Sequence, residues 1–330
     1  MAKRVEASAP SQAFLFGEHA VLYEKPALAA GVERRARVIV KKGRENQILI
    51  TSSAYAEPYK GTISSETIVG KGNPDLGPIA LGIFNLLDML DKRTGLEILI
   101  DSSIPIGSGM ASSASVAAAV SKAISCFLGC ELEGNGLLEA VYEFERIIHG
   151  KASKTGPACA VYGGLVWVEW IKGEMIASRI EFENQLPLVM ICSKESTKTK
   201  EMIRRVSELR SRHKDVIDGI LDLIAKITLD GRDAILSGNL DRVGALMNLN
   251  HWLLSALGVS TQELDRIVWI ARKEGALGAK LSGGGGGGCV VAIARDPDVL
   301  ISKLKSADLE AFNIPIAKEG ARIERVEGSV

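Results

Sequence analysis

A chain of 330 residues, 46% of them hydrophobic, can bury a sizeable core and is long enough for about two domains. Forty basic side chains balance forty acidic ones, which leaves no long-range field to draw in nucleic acid or an anionic membrane surface. The five cysteines, Cys126, Cys130, Cys159, Cys192 and Cys289, show no CxxC pair or metal-ligand spacing and read as small buried hydrophobes in a reducing compartment. The opening MAKRVEASAP has no apolar h-region, and no apolar run reaches the roughly 20 residues needed to span a bilayer, so a cytoplasmic protein is expected.

In chain order, the β-rich runs Ala36–Val40 and Gln47–Thr51 flank a polar turn and predict a hairpin or meander. Residues 76–92 carry apolar side chains at helical spacing, and 94–103 read as a strand leading into a glycine-rich turn. Beyond Val168 the texture changes. A strand at 186–193 is followed by helical stretches at 198–209, 213–227 and 232–257, then by a last helix at 260–274. A boundary near residue 180 divides the chain into domains 1–180 and 181–330, giving an α+β, two-domain protein with a cleft between the halves.

Three segments stand out. Ile104–Ser115, IPIGSGMASSAS, is a glycine-rich turn feeding a helix whose Val116, Val120, Ile124 and Phe127 share a face and whose start Ser112 or Ser113 can cap. Such a helix start presents free N–H groups to phosphate, although a serine-capped loop alone would look the same. The segment is neither a Walker motif nor GxGxxG, because Ser112 stands where the third glycine would be. Near the N-terminus, Glu18 and His19 interrupt an apolar stretch and must either find partners inside or face a cleft. Lys280–Cys289, KLSGGGGGGC, runs six glycines into a buried-looking strand, which favours a backbone loop approaching a ligand over a flexible spacer.

Taken together, these segments resemble the GHMP kinases, whose pattern has an N-terminal motif, a PxGxGLGSSAA-like loop and a KxTGAGGGGC-like loop. Within that family FGEHAVLYEKPALA is similar to the mevalonate kinases, and HGKAS at His149–Ser153 with YGG at Tyr162–Gly164 is similar to the archaeal ones. The resemblance implies a two-domain fold with the active site in the interdomain cleft, and ATP-dependent phosphorylation of mevalonate in isoprenoid precursor synthesis. The partner it implies is a small-molecule substrate, with a homodimer as a permitted assembly. It places ATP phosphates on Gly107, Ser108, Gly109, Ala111, Ser112 and Ser113, and magnesium (Mg2+) on Ser113 and Glu145. Glu18, His19, Thr199, Gly283, Gly284 and Gly285 fall at substrate positions. Glu145 also lies at the edge of the helical stripe Leu137, Val141, Phe144 and Ile148, where an edge salt bridge is the plainer reading. His149, one turn on, lacks further ligands and reads as structural.

Two positions depart from the family pattern. The motif lysine is here Gln12, and the aspartate expected eleven residues after the magnesium glutamate is here Gly156, with Glu145, His149, Ser153 and the Tyr162–Gly164 triplet fixing the register on both sides. Gln12 can still hydrogen-bond a phosphate or hydroxyl but lacks the ammonium charge, and Gly156 offers no side chain. Lys151, Lys154, Lys194 and Lys198 are nearby in motif terms, although a solvated surface lysine is the default for each. The departures keep two alternatives in view: a GHMP kinase of altered substrate or regiochemistry, and a nucleotide-binding pseudoenzyme.

Overall fold

The computed structural model describes residues 3–182, 184–196 and 199–328. Two long strands, β1 (Arg4–Phe16) and β2 (Ala27–Lys42), pair antiparallel along most of their length and are joined through a short 3-10 turn at Ala20–Tyr23. Next come β3 (Gln47–Ser52), β4 (Tyr59–Ile63), β5 (Ile68–Gly72), α1 (Gly77–Met89) and β6 (Leu96–Ser102). Then follow α2 (Ser112–Phe127), α3 (Gly134–His149), α4 (Thr155–Tyr162), β7 (Leu165–Ile171) and β8 (Glu174–Ile180). The remainder is β9 (Leu188–Cys192), α5 (Thr199–Arg212), α6 (Lys214–Leu236), α7 (Leu240–Ala256), α8 (Gln262–Lys273), β10 (Gly278–Ser282), β11 (Cys289–Ile293), α9 (Pro297–Ser306), β12 (Glu310–Asn313) and β13 (Arg322–Glu327).

Among the described residues there are two sheets. The larger runs β13-β1-β2-β6-β3-β4-β5, with β7 also on β2 and β8 on β7; the smaller runs β10-β11-β9-β12. The hairpin expected between Ala36–Val40 and Gln47–Thr51 does not form. β6 lies between them, antiparallel to β2 and parallel to β3, because its alternating LEILIDS buries Leu96, Ile98 and Ile100 in the same core. β8 and β9 belong to different sheets, and β13 returns to pair with β1, so the last strand belongs to the first sheet.

α2 packs on both β1 and β2 and is buried nearly all round, its alanines permitting close approach to the sheet. Neither Ser112 nor Ser113 caps it. The N-cap is Ala111 in the left-handed conformation (φ 53°), with no side-chain cap bond, so both serine hydroxyls lie inside the first turn. The helical stretch expected at 232–257 is broken at Ser237–Gly238, where Gly238 adopts φ 72° and the Asn239 side chain accepts from Arg242 N to restart the chain as α7. No helix among the described residues is long and apolar enough to cross a membrane.

The cysteine expectation holds only in part. Cys159 is buried and unpaired, and Cys126 and Cys130 are unpaired and half-buried, but Cys192 and Cys289 form a disulfide. The two are directly opposed in the β9–β11 ladder with Cα atoms 4.1 Å apart, a neighbourhood that their 97-residue separation conceals in the sequence.

Candidate functional site

The turn after β6 is shaped by its glycines. Gly107 and Gly109 adopt φ of 65° and 77°, and a Cβ on Gly109 would lie 2.5 Å from the Ser282 carbonyl oxygen. Gly283 reciprocates, since a Cβ there would meet Gly109 O at 2.6 Å. Cys289 N donates to Ser108 O at 2.9 Å and Phe14 N donates to Ser282 Oγ at 3.0 Å, so β1, this turn and the glycine tract form one backbone cradle. Gln12 N bonds Met110 O, and Ser115 Oγ donates to Pro10 O at 2.8 Å, holding the start of α2 against β1.

At the far side of the α2 start, Ser113 Oγ lies 3.3 Å from His149 Nε2, whose ring is 3.8 Å from a Glu145 carboxylate oxygen. Glu145 is buried rather than an edge residue in a surface salt bridge, on a helix that packs against α1, α2 and α4. Burial pushes its carboxyl above the usual range, with His149 and the Ser113 hydroxyl pulling the other way, and its Oε1 has no hydrogen-bond partner among the described residues. An acceptor left bare inside the protein calls for a cation or donor. No group of three or more His, Cys, Asp or Glu among the described residues could hold a metal by itself. The single carboxylate and hydroxyl suit Mg2+, which takes one or two protein oxygens and completes its shell with phosphate and water.

The two departing positions meet. A Cβ built on Gly156, in the first turn of α4, would lie 3.0 Å from Ala111 Cβ, 3.4 Å from Ala114 Cβ and 3.7 Å from Gln12 Oε1. Gln12 is buried, and that oxygen also has no partner among the described residues.

Of the two polar residues in the N-terminal motif, Glu18 finds its partners inside. It pairs with the fully buried Lys280 ammonium and accepts from Asn250 Nδ2 at 3.2 Å. Lys280 also donates to Leu281 O at 2.7 Å and Phe14 O at 3.3 Å. His19, held at φ 60°, donates from Nε2 to Gly284 O at 2.9 Å; burial brings its pKa down to about 4, so the ring is neutral at pH 7. Thr199 opens α5 directly beside Gly284, where an added Cβ would be 2.7 Å from its Oγ1. Gly285 packs instead on Val259.

Residues 79–164 match the model of the GHMP kinases N terminal domain, and residues 232–308 that of the GHMP kinases C terminal region. The chain is 35% identical to the mevalonate kinase of Pyrococcus furiosus over 336 aligned positions, covering 98% of this chain and 99% of that one. The crystal structure of Methanococcus jannaschii mevalonate kinase superposes with a TM-score of 0.76 at 29% identity, covering 96% and 99% of the two chains. That of L. major mevalonate kinase in complex with R-mevalonate does so at 0.81 and 26%, covering 97% and 100%. The chain belongs to the mevalonate kinase family of the GHMP kinases.

Within this GHMP kinase, sequence reasoning overlooked Lys280 and Asn250, which hold Glu18, and the contact of His149 with Ser113. A signal for Lys280 was available: a lysine between apolar residues in a strand that enters a glycine tract is placed to be buried. Of the lysines considered as substitute charges, Lys154 pairs with Glu139 at 2.6 Å, Lys194 is exposed, and Lys151 lies over the Tyr23 ring. Lys198 lies outside the described residues.

Proposed function

We propose that the chain transfers the γ-phosphoryl group of ATP to a hydroxyl of mevalonate, its primary hydroxyl, releasing ADP and a proton. Residues 1–180 would act as the lobe carrying the nucleotide loop and 181–330 as the lobe carrying the glycine tract. The observation that carries this reading is the cradle in which Phe14, Ser108–Gly109 and Ser282–Gly283 interlock across separations of up to 268 residues. Backbone N–H groups at the start of α2 suit phosphate oxygens, and glycines let the chain come close to them.

Ser113 and the unpartnered Oε1 of Glu145 would hold Mg2+, which when bound neutralises charge on the transferring phosphates. His149, beside both, would orient the Ser113 hydroxyl. His19 fixes the glycine tract through Gly284, and Thr199 lies where that tract closes. With no carboxylate at position 156, Gln12 Oε1 would accept the hydrogen bond of the attacking hydroxyl and orient it. An amide oxygen does not retain a proton, so the proton leaves to phosphate oxygen or water. A loose transition state tolerates this: a general base contributes about 10²–10⁴-fold, and positioning with charge stabilisation carries most of the rest.

The pairing of Gln12 with Gly156 favours a second reading, a kinase of altered acceptor or regiochemistry. The deciding experiment is ADP release with mevalonate, ATP and magnesium, with the product's phosphorylated carbon assigned by 31P and 13C NMR. Turnover to 5-phosphomevalonate supports the first reading. Phosphate on another oxygen supports the second, and ATP binding with no turnover by the natural chain but turnover by Gln12→Lys/Gly156→Asp marks a scaffold that has lost its chemistry.

A further inference from the structure

A cavity of about 690 Å³ lies beside the candidate acceptor end and is used by none of the roles above. Its walls come from the 3-10 turn after His19, from the end of α3 with residues 150–152, from β7–β8 and from α5. That volume suits a small organic ligand.

Three cations on separate elements line it: Arg146, Lys151 and Arg210. The Lys151 ammonium and the Arg210 guanidinium each lie 5.0 Å from the centroid of the same Tyr23 ring. Lys151 has no carboxylate partner among the described residues. Arg210 is held by Asp218 through Nε and Nη2, at 2.5 and 3.1 Å, and Arg146 by Glu143 through Nη1 alone, at 2.8 Å. A guanidinium has five N–H donors, so both arginines keep donors to spare. Glu24 is the one acidic side chain on the wall. Tyr142 and Trp170 complete it with their rings, their polar ends already committed to Ala152 O at 3.3 Å and Val21 O at 2.8 Å. The wall thus offers charged donors on one side and flat apolar surface on the other.

We propose that this cavity is a binding site for an organic phosphate, its phosphomonoester head held by Arg146, Lys151 and Arg210 and its carbon body lying on Tyr23, Tyr142 and Trp170. A phosphomonoester carries close to two negative charges and three strong acceptor oxygens, which matches cations arriving from three directions. Mevalonate carries no phosphate, so the ligand is a separate effector and not the phosphoryl acceptor. That distinction rests on the kinase reading; the binding itself does not.

The test is calorimetric titration of phenyl phosphate into the full chain saturated with ADP and magnesium, so that the nucleotide loop is already filled. One equivalent is expected to bind. Lys151→Ala and Arg146→Ala should each weaken it about tenfold or more, Lys151→Arg should largely restore it, and melting temperature and ADP affinity should be unchanged. Co-binding with mevalonate is expected, and displacement by mevalonate would make the cavity part of the acceptor site and overturn the proposal. No binding, or binding indifferent to both substitutions, overturns it. Absence of ADP release in the kinase assay would leave this titration standing, so the two readings fail separately.

Discussion

Lys280→Met removes one half of an ion pair whose members are both essentially inaccessible to solvent. In the native protein the ammonium satisfies its three donors on Glu18, Leu281 O and Phe14 O, and the carboxylate accepts from Asn250 as well. At an effective dielectric of about 20, two unit charges about 4 Å apart attract by roughly 4 kcal/mol, similar to the several kcal/mol that desolvating each ion costs. The intact pair is therefore worth little net, whereas a lone buried charge is expensive. Lys280→Met and Glu18→Gln should each lower unfolding free energy by about 3–5 kcal/mol, and the double variant by clearly less than their sum, because it strands no charge. Urea unfolding followed by circular dichroism, with equal m-values across the set, measures this. Single losses below about 1 kcal/mol, or strict additivity, would refute the view that this pair is a coupled, desolvated anchor beneath the glycine tract.

His19 and His251 are both buried with pKa values down to about 4, desolvation being the main cause in each, against about 6.5 unfolded. A depressed pKa means that the unfolded chain binds more protons. Stability is therefore full above about pH 6.5 and falls as pH drops toward 4, by about 3 kcal/mol per histidine, and His19→Gln should flatten that stretch of a stability-against-pH curve. Gly109→Ala places a Cβ 2.5 Å from Ser282 O at a φ of 77°, so ATP affinity should fall at least tenfold and stability by about 1–3 kcal/mol, read by nucleotide titration and melting. Alkylation of the denatured, non-reduced chain should modify Cys126, Cys130 and Cys159 but not Cys192 or Cys289, and reduction should cost about 2–4 kcal/mol of stability.

The glycine loops were legible in the sequence because close backbone approach excludes side chains, and that exclusion is written as glycine at 107, 109 and 283. The strand 96–102 was legible too, but not its neighbours. Alternation specifies which face of a strand is buried and says nothing of which strand lies beside it, so β6 between β2 and β3 and β13 on β1 had no local signature. Helical periodicity put Glu145 at the edge of a stripe, and the packing of α3 against three other helices, which periodicity does not show, makes that edge an interior one. The disulfide was hidden for the same reason, since cross-strand neighbours 97 residues apart share no spacing rule.

The proximity of Gln12 and Gly156 bears on why both depart from the family pattern together. In this pocket a lysine at 12 without an aspartate would be a desolvated cation, and an aspartate at 156 without the lysine would be a desolvated anion beside the start of α2. Loss of both leaves a neutral pair, so the joint change is far cheaper than either alone. What it leaves behind is an amide oxygen with no partner among the described residues. In the proposed reaction the same amide supplies no base and no charge, and what it retains is an acceptor that orients a hydroxyl donor.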